Sequence, residues 1–135
     1  LWKLIRNGLL EHGTILLWDE PESNLNPELF PLVAKILLEL AQHGIQIFIA
    51  THSYNFAKYL ELLRSTKEQV QFHNLFKGTS KLPDTLAETF LSGDYRDDVV
   101  YSNSAFSMEE LHPNHLMNAD EKLLDMVYEE KVSGK

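Results

Sequence analysis

Asp19 and Glu20 stand side by side after the apolar run Ile15-Leu16-Leu17-Trp18, and Pro21 and a polar turn follow them. Adjacent carboxylates repel, and they are poorly tolerated at the end of an apolar segment unless a positive charge is brought to them. Farther along, a second apolar run, Ile45 to Ala50, ends in Thr51-His52-Ser53. Carboxylate oxygens suit Mg²⁺, which proteins hold through one or two carboxylates while substrate phosphates supply further ligands. The chemistry open to such a set is phosphoryl transfer. Asp19 would help hold the metal through its water shell, and Glu20 would orient and polarise an attacking water. Side chains of consecutive residues at a strand end point to different sides, so the two acids can take separate tasks.

The elements that must position these residues follow from local spacing. Ile15 to Trp18 is a continuous apolar run, the pattern of a strand buried on both faces of a parallel sheet. Asn26 is a good N-cap and Pro27 a good first helical residue. Leu29, Phe30, Leu32, Val33, Ile36, Leu37, Leu40 and Ala41 then form a wide stripe at helical period, which Gly44 closes. Pro31, about one turn in, is expected to bend the first turn. Ile45 to Ala50 reads as a second buried strand. Strand, helix, strand makes a βαβ unit with parallel strands, and ligands bind beyond the carboxyl ends of such strands. Topology therefore brings the acids at 19 and 20 to the same rim as His52.

Downstream, residues 54–65 read as a helix, 70–78 as a strand and Lys81 to Asp98 as a loop with a short helical turn around Leu86. Residues 99–106 read as an edge strand, Ser107 and Glu110 as a capping box, and Glu121 to Glu130 as a final helix. Its stripe of Leu123, Leu124 and Val127 is read first as core and second as a docking face. His112 and His115 are close in sequence, but two histidines with a proline between them are more often surface than a metal site.

The quoted motifs carry a resemblance. WDEPESNLNP, from Trp18 to Pro27, resembles the Walker B and D-loop of ABC-type ATPases, in particular the soluble ones whose heads are similar to those of SMC and related DNA-maintenance proteins. IFIATHS resembles that family's switch-histidine strand. The resemblance implies part of a P-loop NTPase fold, α/β with a parallel βαβ core, whose Walker A half is missing from the chain. It implies ATP and Mg²⁺ as cofactors, Asp19 as the Walker B aspartate, Glu20 as the catalytic glutamate and His52 as the residue that contacts the γ-phosphate. Ser23, Asn24, Leu25 and Asn26 would form the D-loop, which in the family crosses to a partner subunit. Asn26 stands where many members have aspartate or histidine. No glycine-rich GK[ST] loop is present, and LSGD at Leu91 to Asp94 lies after His52, whereas the family places its signature before Walker B.

The expectations are therefore an ATP hydrolase in the intact protein, inactive as this fragment alone, that completes itself with an upstream half and forms a homodimer on ATP binding. DNA maintenance, phage defence and nucleotide-gated toxin control are tasks such an engine could drive. A non-catalytic dimerisation or regulatory module derived from the same fold is the alternative. A transporter subunit fits the DEPESNLNP segment less well than the soluble branch does. Residues 1–80 are expected to form the C-terminal lobe of the ATPase domain, and 81–135 an acidic extension packing on it.

Composition narrows the partners. The chain is 135 residues long with a formal charge of −8 and no cysteine. A disulfide framework and thiolate zinc sites are thereby excluded. Charge is uneven: Asp84 to Glu130 holds twelve of the twenty acids against Arg96 and Lys122 alone. Such a tail is a poor fit for a phosphate backbone, so any nucleic acid would be met through other regions. No apolar run is long enough for a membrane span and no secretory signal is seen, which gives the expectation of a cytoplasmic protein. Leu1, Leu4, Ile5 and Leu9 already have helical spacing without a cap, which gives the expectation of an excerpt from a longer chain.

Overall fold

A computed structural model describes residues 3, 6–77 and 100–133. Leu1, Leu4 and Ile5 of the expected first helix, the loop with its turn around Leu86, and LSGD at 91–94 lie outside the described residues. Two compact units are formed, Leu1–Val70 and Gln71–Lys135.

In the first unit, β1 (Ile15–Asp19) pairs in parallel with β2 (Gln46–Ala50), with Ile15 opposite Gln46 and Asp19 opposite Ala50. Helix α1 (Phe30–Gln42) connects them, and α2 (Tyr54–Leu63) follows β2. The expected βαβ order is present. Asn26 caps the approach to α1, its side-chain oxygen accepting the Glu28 N–H at 3.1 Å. Pro27–Leu29 forms a 3-10 turn, and the α-helix begins only at Phe30. The cause is Pro31, which lacks the N–H that would otherwise close an α-helical bond in this turn. Gly44, at φ +84, ends α1 in the left-handed conformation that favours glycine, and its carbonyl accepts the Gly13 N–H at 2.8 Å.

The core of this unit lies between the helices and one face of the sheet. Phe30, Ala34, Leu37 and Leu38 of α1 meet Phe56 and Leu60 of α2, and Trp18, Ile47 and Ile49 pack against them. Phe30 and Phe56 make an edge-to-face pair with ring centres 5.7 Å apart, worth about 0.5–1.5 kcal/mol beyond their burial. The opposite face of the sheet corrects the reading of strands buried on both sides. Ile15 and Leu17 are 61% and 75% exposed, and Phe48 49%. Alternate residues of each strand point to opposite faces, and the helices of this unit cover only the side carrying Trp18, Ile47 and Ile49.

In the second unit, β3 (Phe72–Lys77) and β4 (Val100–Ala105) pair antiparallel, Phe72 opposite Ala105 and Lys77 opposite Val100. Phe76, Met108 and Leu111 are buried, and Phe76 stacks on Tyr101 at 5.9 Å. The expected capping box at Ser107 is instead the start of a 3-10 turn, Met108–Glu110, with the Ser107 hydroxyl accepting from Glu109 rather than Glu110. The last helix, α3 (His115–Ser133), begins before the expected Glu121. Asn114 explains the earlier start: its side-chain oxygen accepts the Met117 N–H at 3.1 Å while its amide donates to the Met108 carbonyl at 2.7 Å. Leu123, Leu124 and Val127 of α3 are exposed, so the core reading of that stripe is overturned. No helix among the described residues is long and apolar enough to cross a membrane.

Candidate functional site

The two strand ends place the candidate residues. Because Asp19 lies opposite Ala50 and the Glu20 N–H donates to the Ala50 carbonyl at 2.8 Å, the chain leaves β1 and β2 at one level. One residue beyond Asp19 stands Glu20, and two beyond Ala50 stands His52. Glu20 Oε1 and His52 Nε2 are 3.9 Å apart, with side chains 45% and 90% exposed. At that exposure the pair contributes little to stability. Its meaning is positional: a carboxylate and an imidazole from separate strands reach one point in solvent at the carboxyl rim.

Glu20 occupies a strained position. Its φ of 45 places a non-glycine residue in the left-handed region, and Asn24 follows at φ 64. Such conformations cost free energy and collect at functional sites. Here the left-handed step turns the chain sharply out of β1, and the Ser23 N–H closes the turn on the Glu20 carbonyl at 2.9 Å. Pro21 and Glu22 are buried beneath it. Ser23, Asn24 and Asn26 are exposed, whereas Leu25 packs against the core. The side chains available to an outside partner are therefore those of residues 23, 24 and 26, and Leu25 anchors the segment.

Asp19 is exposed and helps line an open depression with Leu17, Trp18, Phe48, Ile49 and Ala50. Among the described residues no three histidine, aspartate or glutamate side chains gather as a metal site. A magnesium ion whose other ligands are phosphate oxygens and water needs only one or two protein carboxylates. The exposed Asp19 at the strand end fits that donor set.

Glu22 and Thr51 are site residues that the sequence reading passed over. Glu22 is only 8% exposed, and its Oε1 accepts a hydrogen bond from the Thr51 hydroxyl. The Thr51 oxygen in turn accepts the Ser53 N–H at 3.0 Å, and Ser53 caps α2 by accepting the Phe56 N–H at 3.2 Å. The signal available in the sequence was slight: a third acid beside Pro21, and a threonine before the histidine.

Comparison with known proteins bears on the family of the chain. A family model described as an AAA domain, putative AbiEii toxin, type IV toxin–antitoxin system, matches residues 8–58. The arginine/ornithine transport ATP-binding protein AotP of Pseudomonas aeruginosa is 33% identical over 95 residues, covering 68% of this chain and 37% of that protein. The L-cystine import ATP-binding protein TcyN of Bacillus subtilis is 37% identical over 54 residues, 40% of this chain and 21% of its own length. The histidine/lysine/arginine/ornithine transport ATP-binding protein HisP of Escherichia coli is 38% identical over 56 residues, 42% of this chain and 22% of its own. The chain thus spans well under half the length of these curated relatives. No solved structure matches it significantly.

Proposed function

Since the chain is a member of the ABC-type ATPase family, with an ATP-binding relative matched over 68% of it and an AAA-domain family model over residues 8–58, we propose that it is the C-terminal part of an enzyme that binds and hydrolyses ATP. The observation that carries this reading is the meeting of Glu20 and His52 at the carboxyl rim of a parallel strand pair, 3.9 Å apart, although the two residues come from different strand ends.

Glu20 is the general base of this proposal. Its exposed carboxylate, thrown outward by the left-handed turn, orients a water and takes up its proton. His52, on the neighbouring loop, contacts the terminal phosphate and holds it near that water. Asp19 would hold Mg²⁺ through coordinated water, and the ion when bound offsets phosphate charge. Ser23, Asn24 and Asn26 form the edge presented to a second subunit, with Leu25 as its anchor. The chain contains no glycine-rich lysine loop, so its phosphate-binding donors come from an upstream segment of the intact protein. ATP-dependent homodimerisation then couples hydrolysis to a further activity. The family description, a putative toxin of a type IV toxin–antitoxin system, favours toxin control as that activity, whereas the names of the relatives favour solute transport. The hydrolytic step is common to all of them.

The test is Glu20→Gln in the intact ATPase. ATP binding should remain while turnover falls by about 10²-fold or more, the usual size of a general-base effect. Hydrolysis at the wild-type rate would remove Glu20 from the mechanism.

A further inference from the structure

His52 is 90% exposed in its side chain, and its recorded contact is the distant one to Glu20. Little about the imidazole itself fixes its place. Precision has to come from the backbone on either side of it, and both neighbours, Thr51 and Ser53, are held by hydrogen bonds.

We infer that Glu22 is a positioning residue for His52, acting through the Thr51 hydroxyl to lock the histidine loop to the turn that carries Glu20. The inference deepens the proposed ATPase reading and rests on it for its kinetic consequence alone. Three features carry it. Glu22 is a nearly buried carboxylate two residues after Glu20, in the same turn. Its partner is Thr51, immediately before His52, so with the Glu20 N–H to Ala50 carbonyl bond two successive ties cross from one loop to the other. From Thr51 the bonds continue to the Ser53 N–H and through the Ser53 hydroxyl into the first turn of α2. A group needed only to fill space would be apolar here, because Glu22 Oε2 is buried without a hydrogen-bond partner and a buried unsatisfied oxygen costs stability. The carboxylate thus carries a free-energy cost at a position whose hydrogen bond constrains the candidate site.

Hydrogen exchange and kinetics test this separately. In the full chain without nucleotide, Glu22→Ala and Thr51→Val should each speed Ser53 amide exchange by about tenfold or more, relative to amides in α1, as expected for local opening. Glu22→Gln and Thr51→Ser keep an acceptor and a donor and should restore protection. In the intact ATPase, Glu22→Ala and Thr51→Val should each lower kcat about tenfold with KM for ATP held within about twofold. Their combination should lower it no further than either alone. A role confined to stability would lower the unfolding midpoint and leave kcat per folded molecule unchanged. Unchanged Ser53 exchange in Glu22→Ala, or losses in kcat that multiply in the double variant, would overturn the inference. Failure of the Glu20→Gln test would instead overturn the ATPase reading, and the exchange result would still decide the coupling of Glu22 to the loop.

Discussion

Replacing Glu20 by glycine should stabilise the fold relative to alanine, the reverse of the usual order. At φ 45 any side chain with a Cβ bears the left-handed penalty, about 1–2 kcal/mol for an L-residue. Glycine escapes it but loses more backbone freedom on folding, at a cost of about 0.5–1 kcal/mol. The difference leaves Glu20→Gly about 0.5–1 kcal/mol more stable than Glu20→Ala. Both variants delete the exposed contact with His52, so that contribution cancels from the comparison. Urea unfolding followed by Trp18 fluorescence is the assay, in a Trp2→Phe background so that the signal comes from the side chain beside the first unit's core. With a slope of about 1–2 kcal/mol per molar urea, the two midpoints should differ by about 0.5 M. Lys35, exposed within α1, supplies the control: there Gly should be less stable than Ala by about 1 kcal/mol. A Glu20→Ala protein as stable as Glu20→Gly or more so would refute the claim that this turn is strained. If the claim holds, the residue assigned to activate water is held at a cost in stability, the exchange expected at functional positions.

Phe56→Ala, at a fully buried site against Phe30, should cost about 3–5 kcal/mol in the same unfolding assay, and a loss under about 1.5 kcal/mol would deny Phe56 its place at the centre of the core. Asn114→Ala removes both the cap of α3 and the bond to Met108, and should cost about 1–3 kcal/mol, read as faster amide exchange at Met117 and Asn118; protection equal to wild type would refute the capping role. Gly44→Ala should lose about 1–2 kcal/mol, because the backbone is left-handed there and the added methyl would strike the His12 ring. A neutral Gly44→Ala in thermal or urea unfolding would show that this turn relaxes freely.

The βαβ order of the first unit was legible because each element announces itself within a few residues. Apolar runs marked β1 and β2, helical period and Gly44 marked α1 and its C-terminal end, and Asn26 with Pro27 marked the turn that leads into it. Sequence spacing was weaker where two signals competed. Pro27 and Pro31 both lie in the first turn, and only the structure shows that the former leads a 3-10 turn and the latter sits inside the α-helix. Asn114 is not legible as a cap from local spacing, because polar residues continue to Glu121 and offer several helix starts, and the apolar stripe farther along has the period of a core face although it is exposed. At the carboxyl rim, the placement of Asp19, Glu20 and His52 at or just beyond the strand ends was legible, while the burial of Glu22 was not, since nothing local distinguishes a buried acid from a solvated one.

The sequence by itself determined the strand, helix, strand order of the first unit, that two polar clusters end adjacent parallel strands, and which titratable side chains stand there. These follow from steric and hydrophobic preferences acting over one or two turns of chain. Only the tertiary structure decided how close Glu20 and His52 come, that one sheet face stays open, that Glu22 is buried on Thr51 and that the stripe of α3 faces solvent. Distance and burial depend on which surfaces meet after the chain has folded back, and residues far apart in sequence set that together.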